Sequence, residues 1–197
     1  MGTDKALVEL GGEPLILRAL AILREAGLEA SIAGARSDLS VYGQIIKDTG
    51  PGPLGGICAA LGSTTAEYAV ITSVDAPLIP SSLLSFLLGF AGNTDAGVTL
   101  LSVGGFAQTF PVVIHRSLLP ALQSQLDAGN DGCYAAFRAA SEQTGKPLHT
   151  LAVENLVQAG QVEHPLGLPT AYWFLNVNSP DDLARAEELL PSFHRVS

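Results

Sequence analysis

Residues 68–80, YAVITSVDAPLIP, constrain the fold more than any other part of the chain. Residues 68–72 are a short β-branched run, the composition of a buried strand. The run leads into Asp75-Ala76-Pro77, and Pro80-Ser81-Ser82 then stops the chain and starts a helix. A strand that passes through a short loop into a helix is the unit of an open α/β sheet, where ligands sit outside the carboxyl ends of strands. Asp75 stands at such an end, in a segment held extended by the approaching proline. A carboxylate there is placed to grip a metal ion on a phosphate. Asp-x-Pro alone is equally ordinary turn chemistry, so the reading rests on the stretches around it.

Taken in order, residues 6–10 read as a short strand or extended segment and Gly11-Gly12 as a turn. Pro14 opens a helix through about residue 26, with proline in the first turn and Gly27 as the stop. Its polar residues, Arg18, Arg24 and Glu25, form a thin stripe, so most of the helix is expected to be buried. Residues 28–33 and 44–47 read as strands, with one helical turn between them. A small-residue helix is expected at about 54–62 and another at 81–90. Residues 95–103 and 106–115 read as strands joined at Gly104-Gly105 by a hairpin-type turn. Helices at 116–128 and 132–142, a strand at 148–153, a loop over 155–171 and a closing helix at 180–190 complete the chain. This alternation predicts a three-layer α/β/α sandwich with a mostly parallel sheet. With 197 residues, and neither a repeat nor a linker, one domain is expected over residues 1–197.

Hydrophobic content of 47% with 15% charged residues belongs to a compact globule. The formal charge of −9 argues against nucleic-acid binding, which relies on basic surface. It also means that a phosphate site must be built locally from backbone N–H groups, one or two cations and a metal. The longest apolar runs, such as residues 82–91, are too short to span a bilayer. Asp4, Lys5 and Glu9 interrupt any apolar N-terminal region, so no signal peptide is read and a cytoplasmic location is expected. Cys58 and Cys133 sit in no ligand cluster and read as two buried thiols, neither a disulfide nor a zinc site. His115, His149, His164 and His194 show no ligand spacing and are expected at the surface or at interfaces. No GxSxG, no GxGxxG and no GxxxxGK[ST] is read, which removes the serine-hydrolase, Rossmann dinucleotide and P-loop readings at the level of local signature.

Four polar spots carry the candidate chemistry. Lys5, in MGTDK, stands ahead of the first helix, where an ammonium can neutralise a phosphate oxygen; the same segment reads equally as a frayed terminus. Residues 48–56, DTGPGPLGG, carry four glycines and two prolines. Gly52, Pro53, Leu54 and Gly55 let backbone approach a ligand and feed a helix N-terminus. Asp48 can accept from a base or ribose there, although a tight strand–helix connection with nothing bound explains the same residues. Asp75 is the metal candidate, because magnesium takes one or two carboxylates together with phosphates and waters. Asn176 and Asn178, two apart in FLNVNSPDDL, face one side if that segment is a strand. Both can hold a metal-bound water or a phosphate. Residues 179–182 read as a helix start.

The stretches MGTDKALVELGGEPLI, IIKDTGPGPLGGICAAL, VITSVDAPLIP, FAQTFPVVIHRSLLPALQSQLDAG and FLNVNSPDDL occur in the order seen in molybdenum cofactor guanylyltransferases of the MobA type. The chain resembles that family over almost its whole length. The resemblance implies a Rossmann-like sandwich of the nucleotide-diphospho-sugar-transferase type that joins GMP from GTP to molybdopterin and releases pyrophosphate. It implies that Lys5 contacts the nucleotide phosphates and stabilises the transition state, that Asp48 and the backbone from Gly52 to Gly55 meet the guanosine, and that Asp75 binds both nucleotide and magnesium. Asn176 and Asn178 would line the molybdopterin side. A molybdopterin-handing protein or a molybdoenzyme is the implied protein partner.

Two departures from the family pattern stand out. The family begins with a buried strand running into a loop of the form LAGGxSxRMGxDK, and this chain starts at the Met of that pattern, so a chain truncated at its N-terminus is expected. The family also often places an Asn at the end of the strand where this chain has Ser31-Ile32-Ala33-Gly34-Ala35. GPLGG resembles the GPLAG of guanylyl enzymes. A cytidylyl or sugar-phosphate transferase of the same fold, and a silent nucleotide-binding paralogue, are the alternatives.

Overall fold

Two adjacent glycines set the first turn of the chain. In the computed structural model, which describes residues 5–34, 36–48, 50–130 and 132–190, Gly11 and Gly12 take φ of 63° and 84°. Positive φ at both positions makes a tight hairpin turn between β1 (Glu9–Leu10) and β2 (Glu13–Pro14). A 3-10 turn, Lys5–Leu7, precedes it where an extended segment was expected. The expectations placed on Met1 to Asp4, Ala35, Thr49 and His194 lie outside the described residues.

Helix α1 (Leu15–Glu25) follows, with Pro14 at the N-cap rather than inside the first turn. Gly27, at φ 79°, ends it, and the Leu28 amide donates back to the Leu23 carbonyl at 3.0 Å. Only Leu15, Ile16 and Leu20 of α1 are buried. The expectation of a mostly buried helix is thereby corrected: its aliphatic residues spread over several small clusters rather than facing one core.

A parallel pair, β3 (Ser31–Ala33) and β4 (Gln44–Ile46), brackets a 3-10 turn at Ser37–Val41. Then come α2 (Gly52–Ser63), β5 (Tyr68–Ile71) and α3 (Ser81–Thr94). The hairpin β6 (Val98–Val103) and β7 (Phe106–His115) turns at Gly104-Gly105, both at positive φ. A 3-10 turn at Arg116–Leu118 leads to α4 (Leu119–Asp127) and α5 (Cys133–Thr144), followed by β8 (Leu148–Ala152). The last elements are α6 (Val153–Gln158), α7 (Thr170–Trp173) and α8 (Pro180–Leu189). The loop expected over residues 155–171 thus holds most of α6. Val153 and Leu156 bury one side of that helix, but six residues are too few to display a helical period.

The larger sheet has the order β5-β7-β6-β8. Strands β5, β6 and β8 run one way, and β7 is reversed between β5 and β6. Most strands are therefore parallel in direction, as expected, although the reversed strand makes both of its pairings antiparallel. The β3–β4 pair is not hydrogen-bonded to this sheet among the described residues.

Side chains from the two faces of the sheet enter separate cores. Leu100 and Ile114 pack on one face with Leu54, Leu61, Leu122 and Phe137 from α2, α4 and α5. Leu101 and Val113 pack on the other with Leu83, Leu84 and Leu87 of α3, and with Trp173. This is the three-layer sandwich. A small cluster of Leu10, Leu15, Val177 and Ala186 joins the first hairpin to α8. No helix among the described residues is long and apolar enough to cross a membrane.

Cys58 and Cys133 are both buried and not joined in a disulfide, as expected. Burial, with the charges of Asp127 and Cys133 adding to it, pushes the Cys58 thiol up to about 11. His164 departs from expectation, because it is buried beside Trp173 rather than at the surface. Its Nδ1 accepts from the Leu166 amide at 3.1 Å, which places the ring proton on Nε2, 3.0 Å from the Leu78 carbonyl. Both nitrogens are satisfied in the neutral form, and burial holds the pKa below the ordinary imidazole value.

Two outcomes follow from this packing. Leu10→Ala removes a fully buried side chain and costs about 2–5 kcal/mol in urea unfolding. His164 is neutral in the fold, so the unfolded chain binds the additional proton. Its contribution is complete above about pH 6.5 and is lost as pH falls through the depressed folded-state value. The urea midpoint therefore drops on acidification from about pH 7 to about pH 5, and His164→Gln reduces that drop.

Candidate functional site

Beyond the end of β5 the chain passes through Ser73 and turns at Val74 and Asp75. Both oxygens of the Asp75 carboxylate are engaged there. The Ser73 hydroxyl donates to Oδ1, and the Lys5 ammonium lies 3.3 Å from Oδ2. Lys5 Nζ also donates to Asn178 Oδ1. Three residues from the start, middle and end of the sequence thus share one ammonium. The Asp75 side chain is 19% exposed and that of Lys5 44%, so the group sits at the protein surface with the carboxylate recessed.

Backbone hydrogen bonds position the partners. The Val177 amide donates to the Asp75 carbonyl at 2.7 Å, and Val177 itself is buried. Asn176 and Asn178 flank it, and both serve the site: Asn178 meets Lys5, and Asn176 lines the adjoining cleft. They lie outside the sheets, not on a strand as expected; both are exposed and Val177 between them is buried.

Helix α8 fixes the far end of this segment. Asp182 Oδ2 accepts from the Asn178 amide at 3.1 Å, the Ser179 amide at 2.9 Å and the Ser179 hydroxyl at 2.8 Å. The Asp182 amide in turn donates to Ser179 Oγ at 3.2 Å, completing a capping box. The Ser179 hydroxyl, followed by the Asn178 amide, holds the Asp182 carboxyl below its ordinary range. Residues expected only to start a helix therefore also anchor Asn178.

The cleft beside Asp75 has a volume of about 310 Å³, and Ser73, Gln108, Thr109, Phe110 and Asn176 contribute to its walls. A register slip in β7 puts its residues there. Thr99 pairs with Val113 but Leu101 pairs with Gln108, so four residues of β7 stand against one of β6. Pro111 lies within the slip, where its missing N–H is tolerated. Ser73, Gln108, Thr109 and Phe110 were not anticipated as site residues. The signal for the last three was present: a proline inside a strand pattern marks a bulge.

Asp48 does not join the hydrogen-bonded group. It follows β4, and its Oδ1 lies 3.3 Å from where a Cβ on Gly56 would stand, against α2. Pro53 stands in the first turn of α2, and Leu54 is fully buried. Residues 50–55 also have the spacing G-x-G-x-x-G after a strand and at a helix start, which the sequence reading overlooked. A Cβ on Gly55 would lie 2.1 Å from the Gly50 carbonyl oxygen, so close packing of the loop alone already requires that glycine.

Two other features lack the chemistry of this group. A depression of about 370 Å³ between α5 and β8, lined by Tyr134, Arg138 and Lys146 among others, shares no residue with it. Glu67, Asp95 and His115 bring possible metal-ligand atoms within 4.8 Å of one another. His115 Nδ1 accepts from the Ser117 amide at 3.0 Å, so its proton is on Nε2, facing Glu67 at 3.3 Å. The Lys146 ammonium lies 2.5 Å from Asp95. One oxygen of Glu67 is thus engaged by His115 and one of Asp95 by Lys146.

Comparison with known proteins places this geometry in context. The family model of the MobA-like NTP transferase domain matches residues 1–147. A probable molybdenum cofactor guanylyltransferase of Haloferax mediterranei is 32% identical over 195 residues, covering 92% of this chain and 84% of that protein. The fold is similar to that of molybdopterin-guanine dinucleotide biosynthesis protein A from Archaeoglobus fulgidus, with TM-score 0.75 and 20% identity, over 95% of this chain and 91% of that one. It is also similar to a Mycobacterium tuberculosis protein solved with manganese, with TM-score 0.61 and 18% identity, over 95% and 93% of the two chains.

The loop geometry separates two glycines. Gly55→Ala drives a methyl group into backbone and destabilises the fold by about 1–3 kcal/mol. Gly50→Ala meets the Leu126 side chain, with Cδ2 at 2.7 Å, rather than backbone, and costs less. Urea unfolding of the two variants side by side measures the difference.

Proposed function

The chain belongs to the MobA-like NTP transferase family, and on that premise we propose that it transfers GMP from GTP to molybdopterin with release of pyrophosphate. The reaction is assigned to a single domain acting in the cytoplasm, with a molybdopterin-handing protein or a molybdoenzyme receiving the product. One observation carries the site assignment: the ammonium of Lys5 is shared by Asp75 and Asn178, residues 70 and 173 positions away.

The donor set suits magnesium. Asp75 and Asn178 offer hard oxygen atoms, and a cationic side chain already sits between them as a stand-in ion. Asp75 would hold the metal, with Ser73 orienting its carboxylate. When bound, magnesium neutralises charge on the phosphates. Lys5 supplies further positive charge to the phosphate oxygens as the bond to pyrophosphate breaks. The attacking terminal phosphate of molybdopterin is already an anion, so no proton has to be removed. The new P–O bond forms as the α–β bridge breaks, and the electron pair leaves with pyrophosphate. No histidine lines the cleft among the described residues, and this chemistry requires none.

Asn176, Gln108 and Thr109 supply amide and hydroxyl groups, and Phe110 and Phe174 supply flat apolar surface. That combination fits a planar heterocycle bearing several donors and acceptors, as the pterin does. Asp48 and the backbone from Gly52 to Gly55 are assigned to the guanosine.

Pyrophosphate release from a nucleotide panel with molybdopterin tests the reading. GTP supports turnover and CTP does not, and Asp75→Ala lowers the rate by at least about 10²–10³-fold. Near-normal magnesium-dependent turnover in Asp75→Ala would overturn the assignment of Asp75. Turnover with CTP alone would replace the guanylyl reading by a cytidylyl one.

A further inference from the structure

Building on the nucleotidyltransferase reading, we propose that Lys5 keeps free divalent metal off Asp75, so that the ion enters together with the nucleotide rather than before it. Lys5 Nζ takes Asp75 Oδ2 at 3.3 Å and also Asn178 Oδ1. These are the oxygens that a small hard cation would need at this point. The other carboxylate oxygen is held by the Ser73 hydroxyl, so the carboxylate cannot simply rotate to offer a fresh face.

A divalent ion approaching Oδ2 alone meets a positive charge already bound to the same atom. Two cations a few ångströms apart in a partly wetted site repel enough to weaken ion binding by about tenfold. A triphosphate removes the conflict, because it offers the ammonium new anionic partners. Lys5 has the freedom to move: its side chain is 44% exposed, and a lysine is a point charge on a flexible four-carbon stem. Its backbone is held by the buried Ala6 and by the Val8 amide, which donates to the Lys5 carbonyl at 3.2 Å. The head group can therefore swing while its base stays fixed.

The arrangement makes metal and nucleotide bind cooperatively, each raising the affinity for the other by the same factor. Lys5 thereby acquires two states, one neutralising Asp75 and one neutralising phosphate.

The test measures Mn²⁺ binding to the full chain without nucleotide, from the loss of the free-ion paramagnetic resonance signal. Wild type binds weakly, and Lys5→Met binds about tenfold more tightly. Lys5→Arg, which keeps the charge, stays close to wild type. Asp75→Asn added to Lys5→Met abolishes the gain. The proposal is overturned if Lys5→Met binds Mn²⁺ no more tightly than wild type, or if the gain survives loss of the Asp75 carboxylate. The titration contains neither GTP nor molybdopterin, so failure of the guanylyl reading leaves its outcome unchanged, and a flat titration overturns only the gating role of Lys5.

Discussion

The hydrogen bond from the Val177 amide to the Asp75 carbonyl, 2.7 Å long, is the point through which the first hairpin and the segment before α8 reach the turn that follows β5. A buried amide must find an acceptor or cost free energy, and Val177 is buried. Its neighbours Leu10, Leu15 and Ala186 exclude water from the same spot. The position of Asn178 is consequently set by packing and backbone bonding, and Lys5 is brought to it by the hairpin that supplies Leu10. The Lys5–Asp75 ion pair does not build the site. A half-exposed pair is worth about 0–1 kcal/mol, less than the burial of one leucine. Apolar contacts assemble the site, and the charges then use it.

Ordinary structural devices carry the chemistry. The capping box of α8 satisfies a helix start and, with the same carboxylate, pins the amide of Asn178. The slip in β7 accommodates a proline and, in doing so, turns Gln108 and Thr109 toward the cleft. Gly55 lets a loop carbonyl approach a helix closely at the start of α2. In a chain of net charge −9, Lys5 brings a positive charge to this point, held against two oxygen-bearing side chains. The overall field of the protein repels phosphate, so the local arrangement has to supply the attraction.

Elements whose signals are local were legible in the sequence. The β-branched run of β5, the Gly104-Gly105 turn, the Gly27 stop of α1 and the cap of α8 each follow from a few adjacent residues. The first hairpin was half legible: its glycine turn was evident, but two-residue strands are too short to show alternation. Helix α6 was missed for the same reason. His164 was misplaced because a histidine whose two nitrogens are satisfied by Leu78 and Leu166 looks, in sequence, like any other. Asn176 and Asn178 were placed on one side for a sound reason, although the segment is not part of a sheet.

Sequence by itself determined the alternating α/β plan, the family, and the residue types able to hold a metal-bound phosphate, because these depend on composition and spacing along the chain. Only the tertiary structure decided that Lys5, Asp75 and Asn178 form one hydrogen-bonded group while Asp48 stands apart against α2. It also decided that Ser73 orients the carboxylate and that the slipped segment of β7 walls the cleft. Contacts between residues 70 and 173 positions apart arise from how separate apolar faces pack, and no local rule of sequence encodes that.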